Sequence, residues 1–359
     1  MASKIMRTGM AVCIIGAALA ATAGTATAGL RDRKCFGRKP TIVGSERDDM
    51  IRGTSGNDVI ITGKGRDVVR AGRGHDRICT GRGSDKVIAA RGNDLVLGGP
   101  FLDILHGGSG HDRLITVARD IPERGYHEVA YGENGNDEIT GGANPDRLFG
   151  GPGHDVIQGG GNADDLTPEM ILGGTGDDVM SIAQDADWRN FYQARFVPGP
   201  GDDVVSGGDF RATLDYSLSD TAVDVDIAAG SATGEGTDRF SGIGHVSGSP
   251  FDDVILGDGG YNRIGGGPGN DSVDGRGGTD ELFGGWIDDV AAWVLGHMEL
   301  GDGGTTGSGA DTISGGPGDD ILRGYDGDDT LDGSVGTDDI DGGEGTDSCL
   351  NGEAQTSCE

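Results

Sequence analysis

Residues 44–115 read GSERDDMIR, GTSGNDVII, TGKGRDVVR, AGRGHDRIC, TGRGSDKVI, AARGNDLVL, GGPFLDILH, GGSGHDRLI. The stretch divides into nonapeptides without remainder. The sixth residue is always aspartate: Asp49, Asp58, Asp67, Asp76, Asp85, Asp94, Asp103 and Asp112. The eighth is always aliphatic: Ile51, Ile60, Val69, Ile78, Val87, Val96, Leu105 and Leu114. Positions two and four are mostly glycine. A fixed short period of this kind marks a stacked array of repeats.

The residue types at each position have physical reasons. Glycine reaches positive φ without steric cost, so the first six residues suit a turn. The last three suit a short strand, and side chains alternate across a strand, so only position eight points inward. Two nonapeptides complete one coil, and every second repeat stacks. That places Asp58 beside Asp76 and Asp76 beside Asp94. Carboxylates stacked in this way repel unless a cation lies between them. Aspartate oxygens and turn carbonyls are hard ligands that suit calcium. A flexible Gly/Asp linker would not keep an aliphatic residue in register.

These repeats resemble the G-G-x-G-x-D-x-U-x motif of the RTX, or hemolysin-type, calcium-binding family, and the resemblance extends over more than half of the chain. It implies an all-β fold, a parallel β-roll, with several Ca2+ ions held between adjacent turns. It implies metal-ligand roles for Asp58, Asp67, Asp76, Asp85, Asp94, Asp103 and Asp112, and for the later position-six residues Asp137, Asp146, Asp155, Asp164, Asp178, Asp203, Asp253, Asp271, Asp280, Asp311, Asp320, Asp329, Asp338 and Asp347. Asn262 stands where the pattern asks for aspartate and marks a weaker or vacant site.

Composition agrees with a metal-dependent fold. The chain has 359 residues, 73 of them glycine, a net charge of −32, 34% hydrophobic residues and 5% aromatics. Without a ligand this composition approaches the disordered class. So acidic a chain is a poor general partner for nucleic acid.

Residues 1–28 read as a secretory signal peptide, with Lys4 and Arg7 ahead of an apolar run from Met10 to Ala21 and an Ala26-Thr27-Ala28 cleavage site. That run is too short for a membrane anchor. The expected location is extracellular, with no membrane span in the mature chain. Four cysteines follow: Cys35, Cys79, Cys349 and Cys358. An even number in an exported chain suggests two disulfides. Cys349 and Cys358 are close in sequence and are taken as one pair, which leaves Cys35 with Cys79; free or intermolecular thiols remain open. CFGRKPTIVG and CLNGEAQTSCE resemble the leader and tail of secreted actinobacterial calcium-binding repeat proteins.

The expected organisation is an N-terminal cap over 29–43, a first block over 44–115, an insertion at 116–131 and a second block over 132–206. Within the second block, residues 182–197 carry Trp188, Phe191, Tyr192 and Phe196, which either cover the roll or bind a partner. A longer-strand segment over 207–247 has Val223, Val225 and Ile227 alternating with aspartates. A third block spans 248–283. A further insertion, 284–305, carries Trp286, Val290, Trp293 and Val294, and a fourth block runs over 306–359.

No catalytic constellation stands out, and the expectation is a protein that is not an enzyme. His127-Glu128-Val129-Ala130-Tyr131 begins like a zinc-protease H-E-x-x-H but ends in tyrosine, which removes a ligand. No nucleophile elbow appears in a strand–turn–helix context. A hydrolase with an unrecognised site is the weakest alternative. A calcium-rigidified adhesin, or a module that binds a cell-envelope polymer, is the stronger one. Its motivation is a row of cations at position three: Lys64, Arg73, Arg82 and Arg91. The competing reading is relief of repulsion among the carboxylates.

Overall fold

The computed structural model describes residues 30–116, 127–142, 145–160, 169–182, 194–208, 212–286 and 309–358, and the backbone of 11–13. It divides into two compact units, residues 1–169 with 185–192, and residues 170–184 with 193–359. Each unit is a parallel β-roll, as the repeat pattern requires.

In the first unit one sheet stacks Asp49–Arg52, Val68–Arg73, Lys86–Arg91, Ile104–Ser109, Val129–Asn134 and Arg147–Pro152 in parallel. The facing sheet stacks Ile42–Val43, Val59–Lys64, Arg77–Arg82, Leu95–Leu97, Arg113–Ile115, Glu138–Thr140 and Val156–Gly159. Partners lie 18 residues apart in the regular coils, as with Asp58 and Asp76. Two nonapeptides therefore make one coil. The core is a single file of position-eight side chains: Ile60, Val69, Ile78, Val87, Val96, Leu105 and Leu114 are fully buried.

The second unit repeats this plan. One sheet runs from Met170–Thr175 through Arg195–Val197, Ala212–Asp215, Ile243–Ser247, Arg263–Gly265, Glu281–Phe283, Ile321–Asp326 and Asp339–Glu344 to Ala354–Thr356. The other is parallel except where Ser231–Thr233 pairs antiparallel with both Asp224–Asp226 and Thr237–Ser241. Val223, Val225 and Ile227 are all buried there. At the C-terminal end Cys349 continues the column of Leu331.

Disulfides join Cys35 to Cys79 in the first unit and Cys349 to Cys358 in the second. Cys35 packs with Leu30, Val59 and Ile61 over the outer side of the first coils. Among the described residues no helix is long and apolar enough to cross a membrane.

The ladder also runs through segments read as insertions. Glu128 and Ala130 occupy positions six and eight of a coil within 116–131, since Val129 pairs with Ile104 and Arg147. Phe196 takes the inward position in 182–197 and is fully buried. Trp286 packs against Phe283. Trp188, Phe191, Tyr192, Val290, Trp293 and Val294 lie outside the described residues.

Candidate metal-binding turns

In the regular turns a position-six carboxylate lies under the backbone of the coil before it. The N–H of Asp58 donates to Asp76 Oδ1 at 2.8 Å, Asp76 to Asp94 at 2.7 Å, and Asp94 to Asp112 at 2.7 Å. On the opposite flank Asp49, Asp67 and Asp85 donate in the same way to Asp67, Asp85 and Asp103. The pattern continues from Asp112 to Asp137 and from Asp137 to Asp155. In the second unit it links Asp178 to Asp203, Asp253 to Asp271 and on to Asp311, Asp329 and Asp347. Asp280 receives Asn262 and donates to Asp320, which donates to Asp338. One oxygen of each carboxylate is thus fixed by the fold.

The other oxygen is the informative one. Oδ2 of Asp76, Asp94, Asp103, Asp112, Asp137, Asp203, Asp271, Asp311, Asp320, Asp329, Asp338 and Asp347 is buried without a hydrogen-bond donor. Orphaned buried acceptors are rare in folded proteins, because desolvation is then uncompensated. Where position one is glycine, it leaves the space that this oxygen faces. A Cβ at Gly98 would lie 2.5 Å from Asp103 Oδ2, and one at Gly107 would lie 2.5 Å from Asp112 Oδ2.

Burial raises the proton affinity of these groups. It pushes Asp67, Asp76 and Asp85 up to about 6, Asp112 and Asp311 to about 7, Asp203 and Asp271 to about 8, and Asp103 to about 9. Neighbouring aspartates add to the rise in several cases, as Asp94 and Asp137 do at Asp112. A cation of suitable chemistry would supply what each row lacks.

The donor set fits a hard divalent ion. Among the described residues no three His, Cys, Asp or Glu side chains converge as a side-chain-only metal centre would need. Each ion would therefore be held by one or two carboxylates together with turn carbonyls, and oxygen-only coordination of that kind suits calcium rather than zinc.

Asp164 lies outside the described residues. Where the regular register would place it, Glu169 is the acceptor: the Asp146 N–H donates to Glu169 Oε2 at 3.1 Å. Burial and the charge of Asp146 raise Glu169 well above the usual carboxylate range. Glu128, read from sequence as part of a failed zinc motif, is buried in the same column. The neighbouring His127 Nδ1 lies 2.9 Å from the Pro145 carbonyl. A repeat turn, not a zinc centre, accounts for both residues. The sequence signal for Glu128 and Glu169 was the buried aliphatic or small residue two places on, Ala130 and Ile171.

One flank of the second unit breaks the column. Ala194, Ala212 and Gly244 occupy the turn position there, followed by Asn262. Asn262 is satisfied by the protein alone, with Oδ1 accepting from Asp258 N at 2.8 Å and Nδ2 donating to the Gly244 carbonyl at 3.1 Å. It has no orphaned oxygen to offer.

Position five forms a second ladder that bonds in the opposite sense. Asn57 Oδ1 accepts from the N–H of His75, and His75 Nδ1 from Asn93. Asn93 serves His111, His111 serves Asn136, and Asn136 serves His154. The repeated histidines therefore brace turns. In the second unit aspartates do most of this work: Asp177, Asp202, Asp252, Asp319 and Asp328 accept from Asp202, Thr237, Asn270, Thr337 and Thr346, and Asn270 from Ala310.

A family model described as RTX calcium-binding nonapeptide repeat (4 copies) matches residues 43–78, 88–116, 129–166, 247–282, 262–290, 305–340 and 314–349, together more than half of the chain. No curated protein matches the sequence.

Proposed function

The chain belongs to the RTX calcium-binding nonapeptide repeat family, and from that premise we propose that it is an exported, non-enzymatic protein that takes up several calcium ions between its turns and folds as it does so. The observation that carries the reading is the row of buried, donor-less Oδ2 atoms at position six. Calcium bound there supplies positive charge between stacked carboxylates. The chain's own residues do the rest. Each aspartate is aimed by the N–H it accepts from, a position-one glycine such as Gly98 or Gly107 keeps its turn open, and position eight excludes water behind it.

Export is supported by the signal-like residues 1–28 and by the two disulfides, which persist in oxidising compartments. An extracellular site would also supply the ion at millimolar levels. Extracellular calcium modules bind at roughly 0.1–1 mM. At about 1 mM calcium, a site with a dissociation constant of about 0.1 mM contributes about 1.4 kcal/mol. One such site does not hold a fold, but on the order of ten together match the net stability of an ordinary domain.

The experiment is a calcium titration from chelator, followed by circular dichroism and hydrodynamic radius. The expected result is an expanded chain without metal and a cooperative return to a compact, strand-rich form. A metal-free chain that is already compact with full strand content overturns the reading.

A further inference from the structure

The first unit carries a groove of about 730 Å³ lined by Arg52, Arg70, Arg73 and Arg91, with no acidic residue in its lining. Arg52 stands opposite Arg70 in the sheet, and Arg73 opposite Arg91. Neighbouring strands lie about 4.8 Å apart, so each pair sets two cations side by side. Like charges directly opposite one another destabilise a sheet. All four side chains are exposed. Among the described residues none of the four makes an ion pair or a side-chain hydrogen bond with protein.

The row of cations at position three is therefore two different things. Lys64 and Arg82 pair with each other on the opposite flank, because successive nonapeptides alternate sides. There the protein itself answers the charge: Lys64 Nζ lies 2.5 Å from Glu46, and Arg82 sits 5.5 Å above the Phe101 ring. Charge relief explains that pair. It does not explain the groove, where Asp49, Asp67 and Asp85 are buried and bonded inward to the turns.

We propose that the groove formed by Arg52, Arg70, Arg73 and Arg91 binds a linear polyanion that carries tetrahedral oxyanion esters, either phosphodiester or sulfate. The planar guanidinium fork matches two oxygens of such a group. The cations form two parallel rows along the stacking direction, so a chain with regularly spaced anions can meet them in succession. Ser55, Thr54 and Ala90 keep the groove low and open between the rows.

The test uses the calcium-loaded full chain and three probes: poly(glycerol phosphate), dextran sulfate and uncharged dextran. The expected result is binding of one or both charged polymers at low salt and none of dextran. Converting the four arginines together to serine should weaken binding by about thirtyfold, taking about 0.5 kcal/mol for each exposed ion contact. Lys64→Ser with Arg82→Ser, on the other flank, should change it less than about threefold on the same scale. Circular dichroism in calcium checks that both variants keep their strands. Preference for one charged polymer over the other identifies which ester the groove takes. No binding of either polymer overturns the proposal, as does a fourfold variant that binds like the parent or a two-site variant that loses as much.

Discussion

Each of the two units is built on its own file of position-eight side chains, and they differ in how their turns are charged. In the first, both flanks carry an unbroken column of position-six carboxylates, while position five, apart from Asp48, holds neutral or basic side chains such as Asn57, His75, Asn93 and His111. In the second, one flank loses its carboxylates at Ala194, Ala212, Gly244 and Asn262, and several turns add an aspartate at position five beside that at position six, as at Asp202–Asp203, Asp252–Asp253 and Asp328–Asp329. The same backbone bonds are made in both, mostly by amide or imidazole in the first, where Asp48 is the exception, and mostly by carboxylate in the second, where Asn270 is. The difference teaches that bracing a turn and charging it are separable. Neutral Asn and His brace; paired Asp braces and adds charge that the unit must neutralise.

The largest expected effect follows from that contrast. In chelator, hydrogen exchange read along the chain should show the second unit losing protection more completely than the first. On titration, turns with adjacent aspartates, such as those of Asp202–Asp203 and Asp252–Asp253, should regain protection at lower calcium, since affinity rises with ligand charge. Protection that is lost and regained in parallel in both units would remove the distinction.

The buried position-eight file, present in each unit, sets the second expectation. Val87 and Val273 are buried position-eight residues in the two units. Val87→Asp and Val273→Asp should each destabilise by about 3 kcal/mol or more in saturating calcium, because the new charge has no partner. Lys86→Asp, one residue away and exposed, should stay within about 0.5 kcal/mol. Chemical denaturation checks this, and equal losses at Val87 and Lys86 would refute the inward register.

The metal-free chain should respond to pH with a definite sign. Asp67, Asp112 and Asp203 are raised in the fold from 3.8 to about 6, 7 and 8. Groups raised in the fold stabilise it below their unfolded pKa, and that stability is lost as pH rises through the folded values. Strand content without metal should therefore be greatest near pH 4 and fall from about pH 5 to 8. With calcium the trend should reverse, since protons compete for the same oxygens. A flat profile for the metal-free chain would count against the buried rows as its cause.

The smallest effect is expected at position five. Asp252→Asn keeps the bond to the Asn270 N–H and removes one charge. The variant should fold, with calcium affinity at that turn reduced only a few-fold. A loss of folding would show that the charge, not the bond, braces the coil.

Much of this was legible in the sequence, because positions six and eight repeat at a fixed spacing. Asp76 over Asp94 and the file from Ile60 to Leu114 follow from counting alone. Glu128 and Glu169 were not read, because the spacing to the coil before them stretches and glutamate replaces aspartate; Asp146 and Glu169 are 23 residues apart rather than 18. Phe196 was seen as one of an aromatic cluster, when its register, one place after Arg195, puts it in the core. The arginine groove was half visible. Position three gave Arg73 and Arg91, but Arg52 and Arg70 stand at position nine and join them only once the chain is coiled.

The coil of 18 residues, clasped forward at position five and backward at position six, makes copy number a matter of parity. Gain or loss of two nonapeptides renews every clasp and returns each later side chain to its own flank. Gain or loss of one leaves the motif intact and transposes everything downstream. A single nonapeptide inserted between Ser55 and Arg70 would carry Arg70, Arg73 and Arg91 across to the flank opposite Arg52, and would part Cys79 from Cys35. A count of aspartates would register the added repeat but neither of these rearrangements. Surface features that draw on several coils can thus be rearranged by slippage of a single short repeat, with no substitution at all.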